Sequence, residues 1–175
     1  MINFMLPGLY ENFICNKFFT EIYFSHPEFF YDNVKIYAVY GNFQFSTWDG
    51  GRIFREYTHA SVEKIQEIVN FFNEKNIAIR LIFTNKLLKE EHCFDKFNNI
   101  VLSICENDLN EVVINSSVLE KYIRKNYPKY KFISSTTKCI LNQEELKKEI
   151  NNNNYHMICL DYNLNHDIKL LNSLT

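Results

Sequence analysis

Short apolar runs alternate with helical patterns from residue 34 onward. The runs are 34–40 (VKIYAVY), 77–83 (IAIRLIF), 111–114 (EVVI), 130–134 (YKFIS) and 156–160 (HMICL). Near-continuous apolar runs of this length suit strands covered on both faces, as in parallel sheets. The segments between them carry the helical period. In 61–76, Ile65, Ile68, Val69 and Phe72 fall on one face behind Ser61, a candidate N-cap. In 94–107, Phe97, Ile100, Val101 and Ile104 repeat the spacing. Ser117 and Glu120 stand at capping-box distance, with Pro128 closing that helix; Asn142 and Glu145 repeat the box. Asn165 is the expected cap of a last helix, with Asp167 in its first turn.

Residues 1–33 are expected to form a helical cap, with a helix over 12–24 followed by a turn or short helix. The expectation is therefore a single α/β domain, 1–175, of five successive β-α units (34–175) behind that cap. Right-handed crossovers make neighbouring strands parallel. Two architectures compete: a partial or truncated (β/α) TIM-like barrel, and an open doubly wound sheet. A full eight-unit barrel needs about 250 residues, and the chain has 175. The ending KLLNSLT, just after a strand and its helix, fits a truncated or fragmentary barrel.

Composition narrows the function. Hydrophobic residues make up 46% and aromatics 16%, as in a chain with a packed core, and the net charge is −2. No basic face argues for nucleic-acid binding. No apolar stretch is long enough for a membrane span, and the N-terminus lacks the features of a signal peptide. The five cysteines are scattered without CxxC spacing, which fits a reducing cytoplasm and no zinc site. The five histidines show no metal spacing, and no GxGxxG, P-loop or GxSxG occurs. No metal and no cofactor is expected.

The stretch 111–138, EVVINSSVLEKYIRKNYPKYKFISSTTK, resembles the middle strands of the peptidase U32-like group. There a strand leads through a helix and a Tyr-Pro to a strand ending in Ser-Thr. The resemblance implies a (β/α) barrel and favours the partial barrel here. Members of that group often carry cysteine-rich second halves, and this chain has no cysteine cluster. The likeness therefore implies neither metal chemistry nor peptidase activity.

In parallel α/β folds, ligands meet the carboxyl ends of the strands. Those ends present Asn42 and the Asp49-Gly50-Gly51-Arg52 turn, then Thr84 and Asn85, Asn115, Ser135 and Thr136, and Asn163. Such residues also serve as ordinary helix caps. Together with Arg80 they make a candidate site for a small polar or anionic molecule. Arg80 interrupts an apolar run and shares a face with Ile82 and Thr84. Glu111 or Asp161 could pair with it, as a structural ion pair; alternatively Arg80 reaches an anionic substrate inside a barrel. Lys138, Asp161 and His92 are the candidate catalytic residues: a lysine at a strand end, a carboxylate at another, and a loop histidine able to carry a proton. Gly50 and Gly51 permit positive φ, so a backbone nest before Arg52 could hold an anion; a plain chain reversal over Trp48 is the competing account. The second function class is a non-catalytic assembly module, forming a homodimer through an open sheet edge.

Overall fold

The computed structural model describes residues 1–51, 59–152 and 155–173. Arg52 lies outside them. Six strands form one parallel sheet: β1 (Ile2–Pro7), β2 (Val34–Gly41), β3 (Ala78–Phe83), β4 (Glu111–Ile114), β5 (Lys131–Ser134) and β6 (Met157–Ile158). Their spatial order is their chain order. The helices are α1 (Phe13–Ser25), α2 (Val62–Asn73), α3 (Lys96–Cys105), α4 (Ser117–Asn126), α5 (Gln143–Asn152) and α6 (Ile168–Ser173). A doubly wound sheet must reverse its strand order at a switch point. This one never reverses, so crossovers of one hand put the helices on one face and the sheet curls into a half-barrel.

The expected count of five strands falls short by one. Residues 2–7 form β1, so the first 33 residues are a β-α unit with a short 3-10 turn (Pro27–Phe29), rather than a helical cap alone. The segment escapes a strand reading because it ends in Pro7 and leaves Ile2 and Phe4 half exposed. Pro7 is tolerated there because β1 is an edge strand.

Side-chain parity sorts the two faces of the sheet. Ile36, Val39, Ile79, Leu81, Phe83, Val112, Ile114 and Phe132 pack outward into one core with Ile65, Ile68, Val69 and Phe72 of α2, Val101 and Leu102 of α3, and Leu119 and Ile123 of α4. The register pairs Tyr40 with Arg80, Arg80 with Glu111 and Val113 with Ile133, which places these side chains on the opposite, concave face. The β1–β2 register slips between Phe4 and Met5, with Phe4 opposite Ile36 and Met5 opposite Ala38. Tyr37 is the extra residue, and the bulge turns it toward Glu111.

Caps explain where the helices begin. Ser61 starts α2, its hydroxyl accepting from the Lys64 amide at 3.2 Å. Asp95 caps α3 through the Asn98 amide at 2.8 Å. The expected caps of α4 and α6 shift. Ser116 rather than Ser117 accepts from Leu119, and Asp167 rather than Asn165 accepts from the Leu170 amide at 3.0 Å. Ser116 takes the extended conformation that an N-cap needs, with φ −74° and ψ 121°. Among the described residues, no helix is long and apolar enough to cross a membrane.

Candidate functional site: a cavity on the concave face

A cavity of about 630 Å³ opens at the carboxyl ends of the strands. Met5, Ile82, Val113 and Cys159 are its apolar lining; Tyr40, Thr84, Ser135, Thr136 and Thr137 bring hydroxyls; Arg80, level with Tyr40 in the register, lines it too. A second cavity of about 660 Å³ adjoins it outward and shares Asp49, Gly50, Gly51, Thr84 and Thr137. Asn85, Lys86, Leu87 and Cys139 complete this outer mouth. These volumes fall in the range of small-molecule sites.

Arg80 is only 5% exposed. A guanidinium there needs compensation, and Glu111, fully buried, supplies it through a 2.7 Å bond from Nε. Of the two sequence candidates for this partner, Glu111 is the one in contact. Its other oxygen accepts from the Tyr37 hydroxyl at 2.7 Å. His156 Nε2 lies 3.1 Å from that hydroxyl and 3.5 Å from the carboxylate. Burial, with the bond to Glu111, pushes Tyr37 up to about 12.

The guanidinium is not fully used. Nη1 donates to the Met5 sulfur at 2.9 Å, a weak acceptor. Among the described residues, buried Nη2 has no hydrogen-bond partner. The hydrogen-bond partner of that outer edge among the described residues is thus a thioether, and the Tyr37 ring centroid lies 5.9 Å from the guanidinium carbon. Cys159 lines the same wall; burial pushes its thiol up against the opposing pull of Arg80, so it stays protonated.

The glycine-rich loop closes one side. Trp48 is fully buried, its indole nitrogen donating to the His92 carbonyl at 2.8 Å, with Phe83 edge-on at 5.2 Å. Gly50 lies against the end of β3: a Cβ there would overlap Thr84 Oγ1 and come within 3.0 Å of the Thr84 backbone. Its need is close approach, not the positive φ expected of it. Gly51 alone of that pair takes positive φ, at 100°. Both line the two cavities.

The remaining candidates divide by use. Thr84, Ser135 and Thr136 line the inner cavity with Arg80, Gly50 and Gly51. Asn85 lines the mouth while donating to the Thr47 carbonyl at 2.9 Å. Asn115 donates to the hydroxyl of Thr137 at 2.6 Å. Asn42 bonds both the amide and the carbonyl of Ile82, splicing β2 to β3 beyond their ladder. Asp161 and Asn163 close a turn on each other, with the Asn163 amide 2.9 Å from the carboxylate. Lys138 bonds Glu149 at 2.6 Å and the Tyr155 hydroxyl at 2.7 Å, in a network that also takes in Glu120. His92 accepts the Lys89 amide at 2.8 Å. Lys138, Asp161, His92 and Asn163 are not among the residues that line either cavity.

Met5, Tyr40, Val113 and Cys159 belong to the cavity and were not singled out in the sequence. Tyr40 and Val113 share the parity of Arg80 through the register, a signal readable once strands are aligned. Met5 required β1. Among the described residues, no group of three or more His, Cys, Asp or Glu is placed to hold a metal ion. No family model matches the chain, and comparison with curated proteins and with solved structures gives no match.

Proposed function

We propose that this half-barrel binds a small polar or anionic molecule in the concave cavity, with Arg80 as the group that recognises it. One observation carries the reading: among the described residues, a buried guanidinium in the cavity wall has one terminal nitrogen without an acceptor and the other on a thioether. Buried donors are rarely left so poorly satisfied, and such groups point to an acceptor supplied from outside. The location supports it, since parallel α/β folds bind ligands at this end of the sheet. Met5 is flexible and can be displaced, exchanging a weak acceptor for a charged oxygen. From the peptidase U32-like resemblance the proposal takes only the barrel-like arrangement of strands. The test is a melting-temperature screen of the whole chain against carboxylated and phosphorylated metabolites. At least one class should raise the melting temperature by several degrees, and the shift should vanish in Arg80→Met/Glu111→Met. Indifference to every compound would overturn the reading.

A second reading, assembly of two copies, rests on a different place. β1 pairs only with β2, and beside its free edge Phe4, Phe19, Tyr23, Phe29, Phe30 and Tyr31 line an apolar groove of about 280 Å³. Phe29 and Tyr31 are 72% and 83% exposed. Phe4 and Phe19 add 51% and 38% exposure, and aromatic side chains are the ones that dominate interface energetics. A second copy fits because two β1 edges pair antiparallel about a two-fold axis. Sedimentation should give twice the chain mass at micromolar concentration and the monomer mass for Phe4→Glu. A monomeric parent would refute it.

A further inference from the structure

We infer that the inner cavity selects a monocarboxylate with an apolar body over phosphorylated compounds. This deepens the reading of the cavity as a ligand site and rests on it. Charge decides first. Arg80 already shares its charge with Glu111, so the pair is neutral before any ligand arrives. The buried Glu111 carboxylate on the same guanidinium therefore repels a phosphate dianion about twice as strongly as a monoanion. A carboxylate brings a single charge and needs fewer donors.

Geometry agrees. Phosphate sites in parallel α/β folds use the amides of a helix N-terminus. Among the described lining residues, the only helical turn is Thr136–Lys138, three residues long, and its Thr137 amide is already taken by Ser135 Oγ at 3.1 Å. Among the described residues of the inner cavity, the charged donor is the outer edge of one guanidinium, with Nη1 on a displaceable sulfur and Nη2 unpartnered. Two adjacent N–H donors on that edge match the two oxygens of one carboxylate. The apolar lining is Met5, Ile82, Val113 and Cys159, which suits a hydrocarbon body, and Thr84, Ser135, Thr136 and Thr137 bring hydroxyls. When Met5 swings off Arg80, a carboxylate takes its place and the tail lies along the strand wall.

Titration calorimetry with hexanoate, hexyl phosphate and hexanamide tests this on the full chain. Hexanoate should bind at least tenfold more tightly than either of the others. Its binding should be lost in Arg80→Met/Glu111→Met, a variant that replaces the buried pair by apolar groups and keeps the fold. Circular dichroism of that variant verifies the fold. Hexyl phosphate binding as tightly as hexanoate would overturn the selectivity while leaving the cavity a ligand site. Equal binding of hexanamide would overturn the role of charge in the same way. Absence of binding by all three would remove both the selectivity and the site.

Discussion

Gly50 is fixed by what lies beside it. A methyl group there would meet the Thr84 hydroxyl and, at 3.0 Å, backbone atoms that have no rotamer to move. Gly50→Ala should therefore cost about 1–3 kcal/mol, the usual penalty of forced overpacking, read as a lower urea midpoint. Arg80 and Glu111 pose the opposite problem, a fit that fails when one half is removed. Glu111→Ala leaves a buried guanidinium uncompensated and should cost about 3–5 kcal/mol. Arg80→Met/Glu111→Met should recover most of that loss, and urea unfolding of the three proteins checks it. Much of this was legible in the sequence: a charge inside an apolar run demands a partner, and Glu111 was one of two candidates. The thioether on Arg80 was not legible, because contact between residues 5 and 80 depends on one intervening strand and its register with both neighbours.

Elements meet through side chains that imitate backbone. Asn42 offers its amide group to Ile82 as one further ladder position, holding β2 and β3 together where they open to the cavity. Asn42→Ala should cost about 1–3 kcal/mol, since the Ile82 amide loses its acceptor, and amide exchange at Ile82 should accelerate. At the other end of the sheet, buried Asn110 accepts from the Ile79 amide at 2.8 Å and donates to the Cys105 carbonyl at 2.8 Å. Polar residues at strand ends thus have two uses, and residue type does not separate them. Asn42 and Asn115 were expected among ligand contacts; they bond Ile82 and Thr137 instead. Thr84, Ser135 and Thr136 do reach the cavity. Strand positions from β2 to β6 followed from apolar runs, whereas β1 shows half-exposed Ile2 and Phe4 and a terminal proline, which is the pattern of an edge.

At the scale of the molecule, sequential strand order separates two faces with different duties. Helices cover the convex face and make the core; the concave face carries the buried ionic cluster and the cavity. That cluster gives the fold a signature at high pH. Tyr37 is raised to about 12 from 10.0, so the unfolded chain releases this proton before the folded one does. The stabilisation is complete below pH 10.0 and is lost as pH rises toward about 12. Tyr37→Phe should flatten the fall in denaturation midpoint across that window. The strand-by-strand order was legible as repeated β-α units, but curl and cavity emerge only when six strands stand side by side.

The central claim, that a ligand oxygen replaces Met5 on Arg80, is tested most directly by following methionine methyl resonances. The chain has three methionines, Met1, Met5 and Met157, and Met1 is 89% exposed. During titration with hexanoate, the Met5 methyl should shift saturably while that of Met1 stays in place. A Met5 signal unmoved by hexanoate at any concentration would contradict the account.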